Sequence, residues 1–111
     1  MTQHVAARLE DIPQGGSLPV VVDGIEIALV RDGDDVYAIR DECSHAAIPL
    51  SEGEVSAGSS GATEIECWLH GSRFDLRTGK PVNLPATEPV RTFPTTIAED
   101  AVSVLVDIEE S

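Results

Sequence analysis

Residues 67–75 read Cys67-Trp68-Leu69-His70-Gly71-Ser72-Arg73-Phe74-Asp75, and a shorter motif, Cys43-Ser44-His45, stands upstream of them. Together the two motifs hold both cysteines of the chain and two of its three histidines. Chance would seldom give each cysteine a histidine two or three residues on in so His-poor a chain. Two short Cys/His pairs, each following a strand, can converge as two fingers on one metal centre. The first ten residues contain no apolar run long enough for a signal peptide, and no stretch approaches the ~18 apolar residues of a membrane span. The sequence therefore predicts a soluble, cytoplasmic protein whose cysteines ligate metal rather than pair as a structural disulfide.

Two kinds of centre use two thiolates and two imidazoles. Structural zinc takes them in a closed tetrahedron, and zinc fingers usually pair like ligands, C-x₂₋₄-C followed by H-x₃₋₅-H. A two-iron cluster with both thiolates on one iron and both imidazoles on the other needs each finger to send one ligand to each iron. The mixed order seen here is what that geometry requires, and it favours the cluster over zinc.

The rest of the chain reads as β. Val5–Leu9 is a candidate first strand, ended by the turn-rich Asp11–Gly16. Leu18–Val22 and Ile25–Arg31 flank Asp23-Gly24, a strong two-residue hairpin signal. Asp32-Gly33-Asp34 leads into Asp35–Arg40, which completes a three-stranded antiparallel meander. Residues 41–63 lack sustained periodicity, and 56–62 read as a small-residue loop. Short strands return at Glu64–Cys67 and Phe74-Asp75, and Gly79 supplies a positive φ in the Arg77–Lys80 turn. The Pro-rich Pro81–Pro94 is extended but unsuited to a central strand. Thr95–Ala98 and Val102–Ile108 form a closing hairpin around Glu99-Asp100.

With Cys43-Ser-His45 and Cys67-Trp-Leu-His70 go the flanks Pro49-Leu50-Ser51-Glu52-Gly53 and Gly71-Ser72-Arg73-Phe74-Asp75. Downstream lie Thr78-Gly79-Lys80-Pro81, Pro85-Ala86 and Pro89-Val90. In these motifs the chain resembles the Rieske-type [2Fe–2S] proteins from about Val5 to Ile108, most nearly the small ferredoxins of bacterial ring-hydroxylating dioxygenase systems. The resemblance implies an all-β fold, an antiparallel β-sandwich or barrel with a two-finger cluster-binding insertion. It implies one domain over 1–111, with the cluster-binding subdomain at about 41–85. One [2Fe–2S] cluster would be held by Cys43 and Cys67 on the inner iron and by His45 and His70 on the outer. Such a protein carries single electrons and is not itself an enzyme. Its implied partners are a flavin-dependent NAD(P)H reductase and a terminal oxygenase.

Three departures from related patterns sharpen this. Ala46, Ala47 and Ile48 follow His45 and neither finger has a further cysteine, unlike the respiratory Rieske proteins, whose fingers are joined by a disulfide. Ser72 stands where high-potential members hydrogen-bond a bridging sulfide, but Phe74 replaces their tyrosine. Donors to cluster sulfur raise the potential, so a low to intermediate value is expected. Trp68 replaces a common proline; packing is the favoured role, with a docking surface as the alternative.

Lys and Arg total 7 against 20 Asp and Glu, a formal charge of -13. That charge argues against nucleic acid and an anionic membrane surface as partners, and it either steers a basic protein partner or serves solubility alone. Asp41, Glu42, Glu52 and Glu54 are candidates for such a docking surface or for solvated loop residues. Arg73 either meets a partner or pairs with a nearby acid, and His4 is expected to be an ordinary surface residue. Two other functions remain: a redox component attached to iron–sulfur cluster assembly, and a zinc-stabilised binding module.

Overall fold

A computed structural model describes residues 2–33, 35–42, 48–57, 63–68, 71–82, 88–99 and 101–106. Ten strands follow in chain order: β1 (Thr2–Arg8), β2 (Ser17–Val22), β3 (Ile25–Asp32), β4 (Asp35–Arg40), β5 (Val55–Ala57), β6 (Thr63–Glu66), β7 (Arg73–Asp75), β8 (Thr92–Phe93), β9 (Thr95–Ala98) and β10 (Ala101–Val106). Two single 3-10 turns, Leu9–Asp11 and Leu50–Glu52, are the helical elements among the described residues. No helix among them is long and apolar enough to cross a membrane.

The unbroken apolar run Ile27–Val30 in β3 is buried throughout, because successive side chains point to opposite faces and both faces are covered. β3 is an inner strand of the central sheet, ordered β2-β3-β4-β8, with antiparallel pairing at every step. Asp23 and Gly24, both at positive φ (52° and 79°), form the two-residue turn that sets the β2–β3 register. The expected meander is thus present.

On one face of the central sheet Ile27, Leu29, Val36, Ala38 and Phe93 pack with Val102 and Val104. The last two come from the three-stranded sheet β1-β10-β9, whose closing hairpin turns through Glu99 at φ 51°. On the opposite face Ala28, Val30 and Ile39 pack with Leu50, Ile65, Cys67, Phe74, Leu76 and Val90. Ile65 and Phe74 belong to the third sheet, β5-β6-β7. Thr63 Oγ1 donates to the Asp32 carboxylate and pins that sheet to the end of β3.

The structure departs from the sequence reading in a few places. Leu9 opens a 3-10 turn instead of closing β1. Ser56 and Ala57, read as part of a loop, pair with Glu64 and Thr63 as β5. Their small side chains conceal a strand whose partner across the sheet defines it. Cys67 lies one residue beyond β6, where the chain leaves the ladder. His4 is in β1 opposite Val104, with Nε2 buried and lacking a hydrogen-bond partner among the described residues, so it is not an ordinary surface residue. The segment 58–62, the Pro85-Ala86 part of the Pro-rich stretch and Asp107-Ile108 of the last predicted strand lie outside the described residues.

Candidate metal centre

Of the four predicted ligands, Cys67 is described; Cys43, His45 and His70 lie outside the described residues. Cys67 is completely buried and is not in a disulfide. Its surroundings are apolar: Leu50, Ile65, Phe74 and Val90 belong to the same cluster, with Ile48 against its edge. The backbone around it forms a closed turn. The Cys67 amide donates to the Ser72 carbonyl at 2.7 Å, and the Gly71 amide donates to the Cys67 carbonyl at 2.9 Å. Gly71 has φ 75°, which a residue with a side chain adopts only with strain. These two bonds bring Cys67 together with Gly71 and Ser72.

The return limb of the first predicted finger, from Ile48 on, runs next to this turn. Ile48 and Leu50, on its return limb, pack into the cluster that contains Cys67. Gly53 follows, and a Cβ built there would lie 1.7 Å from the Glu66 carbonyl oxygen. Only glycine lets the two chains approach so closely. The Glu66 amide donates to the Glu54 carbonyl at 2.9 Å, so the return limb of one finger is bonded to the residue just before Cys67.

At the far side of the first finger, Asp41 is 8 % exposed, not a solvated loop acid. Its Oδ1 accepts from the Ser51 amide and its Oδ2 from the Ser51 hydroxyl, both at 2.7 Å. Ser17 Oγ donates to the Ser51 carbonyl, also at 2.7 Å. These buried contacts escape sequence reasoning because Asp41, Ser51 and Ser17 are distant in the chain and look like ordinary turn residues. Glu42, Glu52 and Glu54 are exposed, which keeps them available as docking charges.

Four more side chains belong to the second finger and its flank. Trp68 is 53 % exposed, so the packing role favoured for it does not hold. Its neighbour Cys67 is fully buried by contrast. Ser72 is fully buried, and so is Phe74, which offers no donor. Arg73 pairs with Glu66 at 3.6 Å and with Glu64 at 3.9 Å, which answers the question the sequence left open.

Farther along, Asp75 shapes the turn after β7. Burial pushes its carboxyl up, but the Arg77 amide at 2.8 Å, the Arg77 guanidinium and the Thr78 amide outweigh this and hold it below the usual carboxylate value. Burial raises the Tyr37 phenol, and the carboxylates of Asp35 and Asp32 raise it further.

A buried thiol rooted in a closed turn, with a second limb bonded beside it, fits a thiolate ligand shielded from water. The donor set of the two motifs, two cysteines and two histidines in mixed order, fits a [2Fe–2S] group with both ligand types.

Comparison with known proteins agrees. The Rieske [2Fe-2S] domain family matches residues 2–94. The ferredoxin component of the naphthalene 1,2-dioxygenase/salicylate 5-hydroxylase systems of Ralstonia sp is 41 % identical over 99 residues, 87 % of this chain and 90 % of that protein. The solved ferredoxin of carbazole 1,9a-dioxygenase from Nocardioides aromaticivorans IC177 superposes with a TM-score of 0.88 at 41 % identity, covering 96 % of this chain and all of that one (100 %). A chain in a complex of reduced oxygenase and oxidised ferredoxin of carbazole 1,9a-dioxygenase matches with a TM-score of 0.81 at 33 % identity, over 92 % of this chain and 91 % of that one.

Proposed function

The chain belongs to the Rieske [2Fe–2S] domain family, and from that premise we propose that Cys43, His45, Cys67 and His70 hold its cluster. It carries one [2Fe–2S] cluster and is an electron-transfer protein, not an enzyme. When bound, the cluster supplies a site that takes up and releases one electron at a time. The observation that carries the ligand assignment is the buried Cys67 at the root of the Gly71-closed turn. A thiolate there is shielded from solvent, while the neighbouring turn faces outward with Trp68.

The donor we assign is a flavin-dependent NAD(P)H reductase and the acceptor a terminal ring-hydroxylating oxygenase, both in the cytoplasm. The whole chain is read as one domain, with the cluster held by a subdomain at about 41–85. Support for the acceptor comes from the dioxygenase ferredoxin relatives, and from the complex in which an oxygenase and a ferredoxin are found together. Exposed Trp68, between two of the proposed ligands, serves as the apolar contact at the docking face. The exposed Glu42, Glu52 and Glu54 add negative charge that steers a basic partner toward it. Phe74 provides no hydroxyl to the cluster, which keeps the potential low to intermediate.

The test is spectroscopic and then kinetic. Protein purified under anaerobic conditions is red-brown and gives on reduction an EPR signal with an average g below that of all-cysteine clusters. Replacing Cys67 with Ser abolishes that signal. Mixing the reduced protein with a purified ring-hydroxylating oxygenase reoxidises it at a rate that falls with salt. Colourless protein with stoichiometric zinc and no sulfide would overturn the assignment, and a potential in the high range would overturn the role given to Phe74.

A further inference from the structure

We propose that Asp41 and Ser51 act as a latch that positions the first pair of ligands, Cys43 and His45, relative to the turn that carries Cys67. The inference rests on the ligand assignment above and adds to it a pair of residues that bind no metal.

The argument starts from how completely Ser51 is used. Its amide and its hydroxyl both donate to the carboxylate of Asp41, and its carbonyl accepts from Ser17 Oγ, each at 2.7 Å. Asp41 in turn is anchored, since its own amide donates to the Glu26 carbonyl at 2.9 Å. The central sheet therefore grips Ser51 from two places, β2 through Ser17 and the end of β4 through Asp41. Ser51 and Asp41 stand on either side of residues 43 and 45, so their contact sets the distance between the two ends of the first ligand segment.

Ser51 also belongs to the 3-10 turn that delivers Gly53 to the Glu66 carbonyl, where no Cβ fits, and Glu54 to the Glu66 amide. Glu66 directly precedes Cys67. One continuous set of contacts thus runs from the sheet through Asp41 and Ser51 to the root of the second ligand turn. A carboxylate is the group that performs this task, because two acceptor oxygens meet an amide and a hydroxyl of one residue at once. Buried at 8 % exposure, it works in a setting where unmade bonds are costly, so the arrangement is held firmly.

The test compares Asp41→Ala, Asp41→Asn and Ser51→Ala with the parent protein, all isolated with cluster. Each is exposed to an iron chelator while the visible absorbance is followed, and each reduced form is examined by EPR. Asp41→Ala loses its cluster about tenfold faster than the parent, the scale on which removing outer positioning groups weakens metal sites, and its EPR lines broaden. Ser51→Ala, which keeps the amide contact, falls in between. Asp41→Asn still accepts the amide and faces the hydroxyl, and it stays within about threefold of the parent.

Ile27→Ala, in the core on the opposite face, is the control for lost stability alone. If it speeds cluster loss as much as Asp41→Ala, the latch is merely structural and the proposal fails. It fails as well if Asp41→Ala matches the parent in both rate and EPR line shape. Should Asp41→Ala not fold, the Ser51→Ala rate and line shape decide the matter alone. A Cys67→Ser protein that keeps the Rieske signal would instead overturn the ligand assignment, which separates the two failures.

Discussion

The two faces of the central sheet are packed for different purposes. One face, toward β1-β10-β9, is filled by Ile27, Leu29, Val36, Ala38, Phe93, Val102 and Val104, aliphatic except for one ring. The other buries Phe74, Ile65 and Leu50 together with the Cys67 thiol, and its periphery is set by polar pins at Asp41, Ser51 and Thr63. Both faces are served by the same strands, since Ile27 and Leu29 point one way from β3 while Ala28 and Val30 point the other. The contrast teaches that one core supplies stability, and the other also holds the Cys67 thiol and the return limb bonded beside it.

Truncations to alanine on the two faces break the comparison most directly. Phe74→Ala removes the largest fully buried side chain and should cost about 3–5 kcal/mol, with loss of cluster colour in the same denaturant range. Ile27→Ala on the other face should cost about 2–5 kcal/mol while the native protein keeps an unaltered EPR signal. Denaturant titrations followed by visible absorbance and by circular dichroism separate these outcomes. An altered EPR signal in native Ile27→Ala would show that the faces are not independent.

A smaller effect is expected at the seam between the fingers. In Gly53→Ala the new methyl meets the Glu66 carbonyl, a backbone atom that can move only by separating the two limbs. Overpacking of this kind costs about 1–3 kcal/mol, and here it should also shorten the lifetime of the cluster. Unchanged thermal stability and an unchanged lifetime would mean that the seam is looser than the contact implies.

The two regions also differ in how far the sequence reveals them. The hairpin through Asp23-Gly24 and the alternation at Val102 and Val104 are local signals, because turn chemistry and period-two burial are written in neighbouring residues. On the cysteine side the ligand residues stand out by type and spacing. The contacts that arrange them do not, because Ser17, Asp41 and Ser51 meet through the fold. Strand β5 escaped notice for a related reason, since Ser56 and Ala57 carry little strand propensity and gain their conformation from β6. Trp68 misled because a large aromatic is usually buried, whereas here it stands exposed next to a fully buried Cys67.

Asp75 provides a weaker probe of the cysteine side. Its folded pKa lies below the ordinary value of 3.8, so its carboxylate stabilises the fold above that value, and the contribution fades as pH falls through the lower folded pKa. Asp75→Ala should therefore be less stable than the parent by about 1 kcal/mol at neutral pH, the worth of a typical hydrogen bond. The difference should shrink once the solution is more acidic than pH 3.8. Melting curves across that range test it, and a difference that grows toward acid would reverse the sign of the argument.

The smallest effect on the fold, and the most telling about function, is expected at Trp68. Half exposed, it contributes little to either core, and Trp68→Ala should leave stability within about 0.5 kcal/mol of the parent. The cluster potential and EPR signal should stay as they are, since about half of the side chain lies in solvent. Aromatic residues at the centre of an interface are common hot spots, so affinity for the oxygenase should drop by about tenfold or more. Salt separates the aromatic contact from the acidic field around it. The Trp68→Ala defect should persist at high ionic strength, whereas the effect of replacing Glu42, Glu52 and Glu54 with Gln should fade as salt screens the charge. If Trp68→Ala reoxidises at the parent rate under subsaturating oxygenase, docking does not use this side chain. The exposed aromatic would then need another explanation.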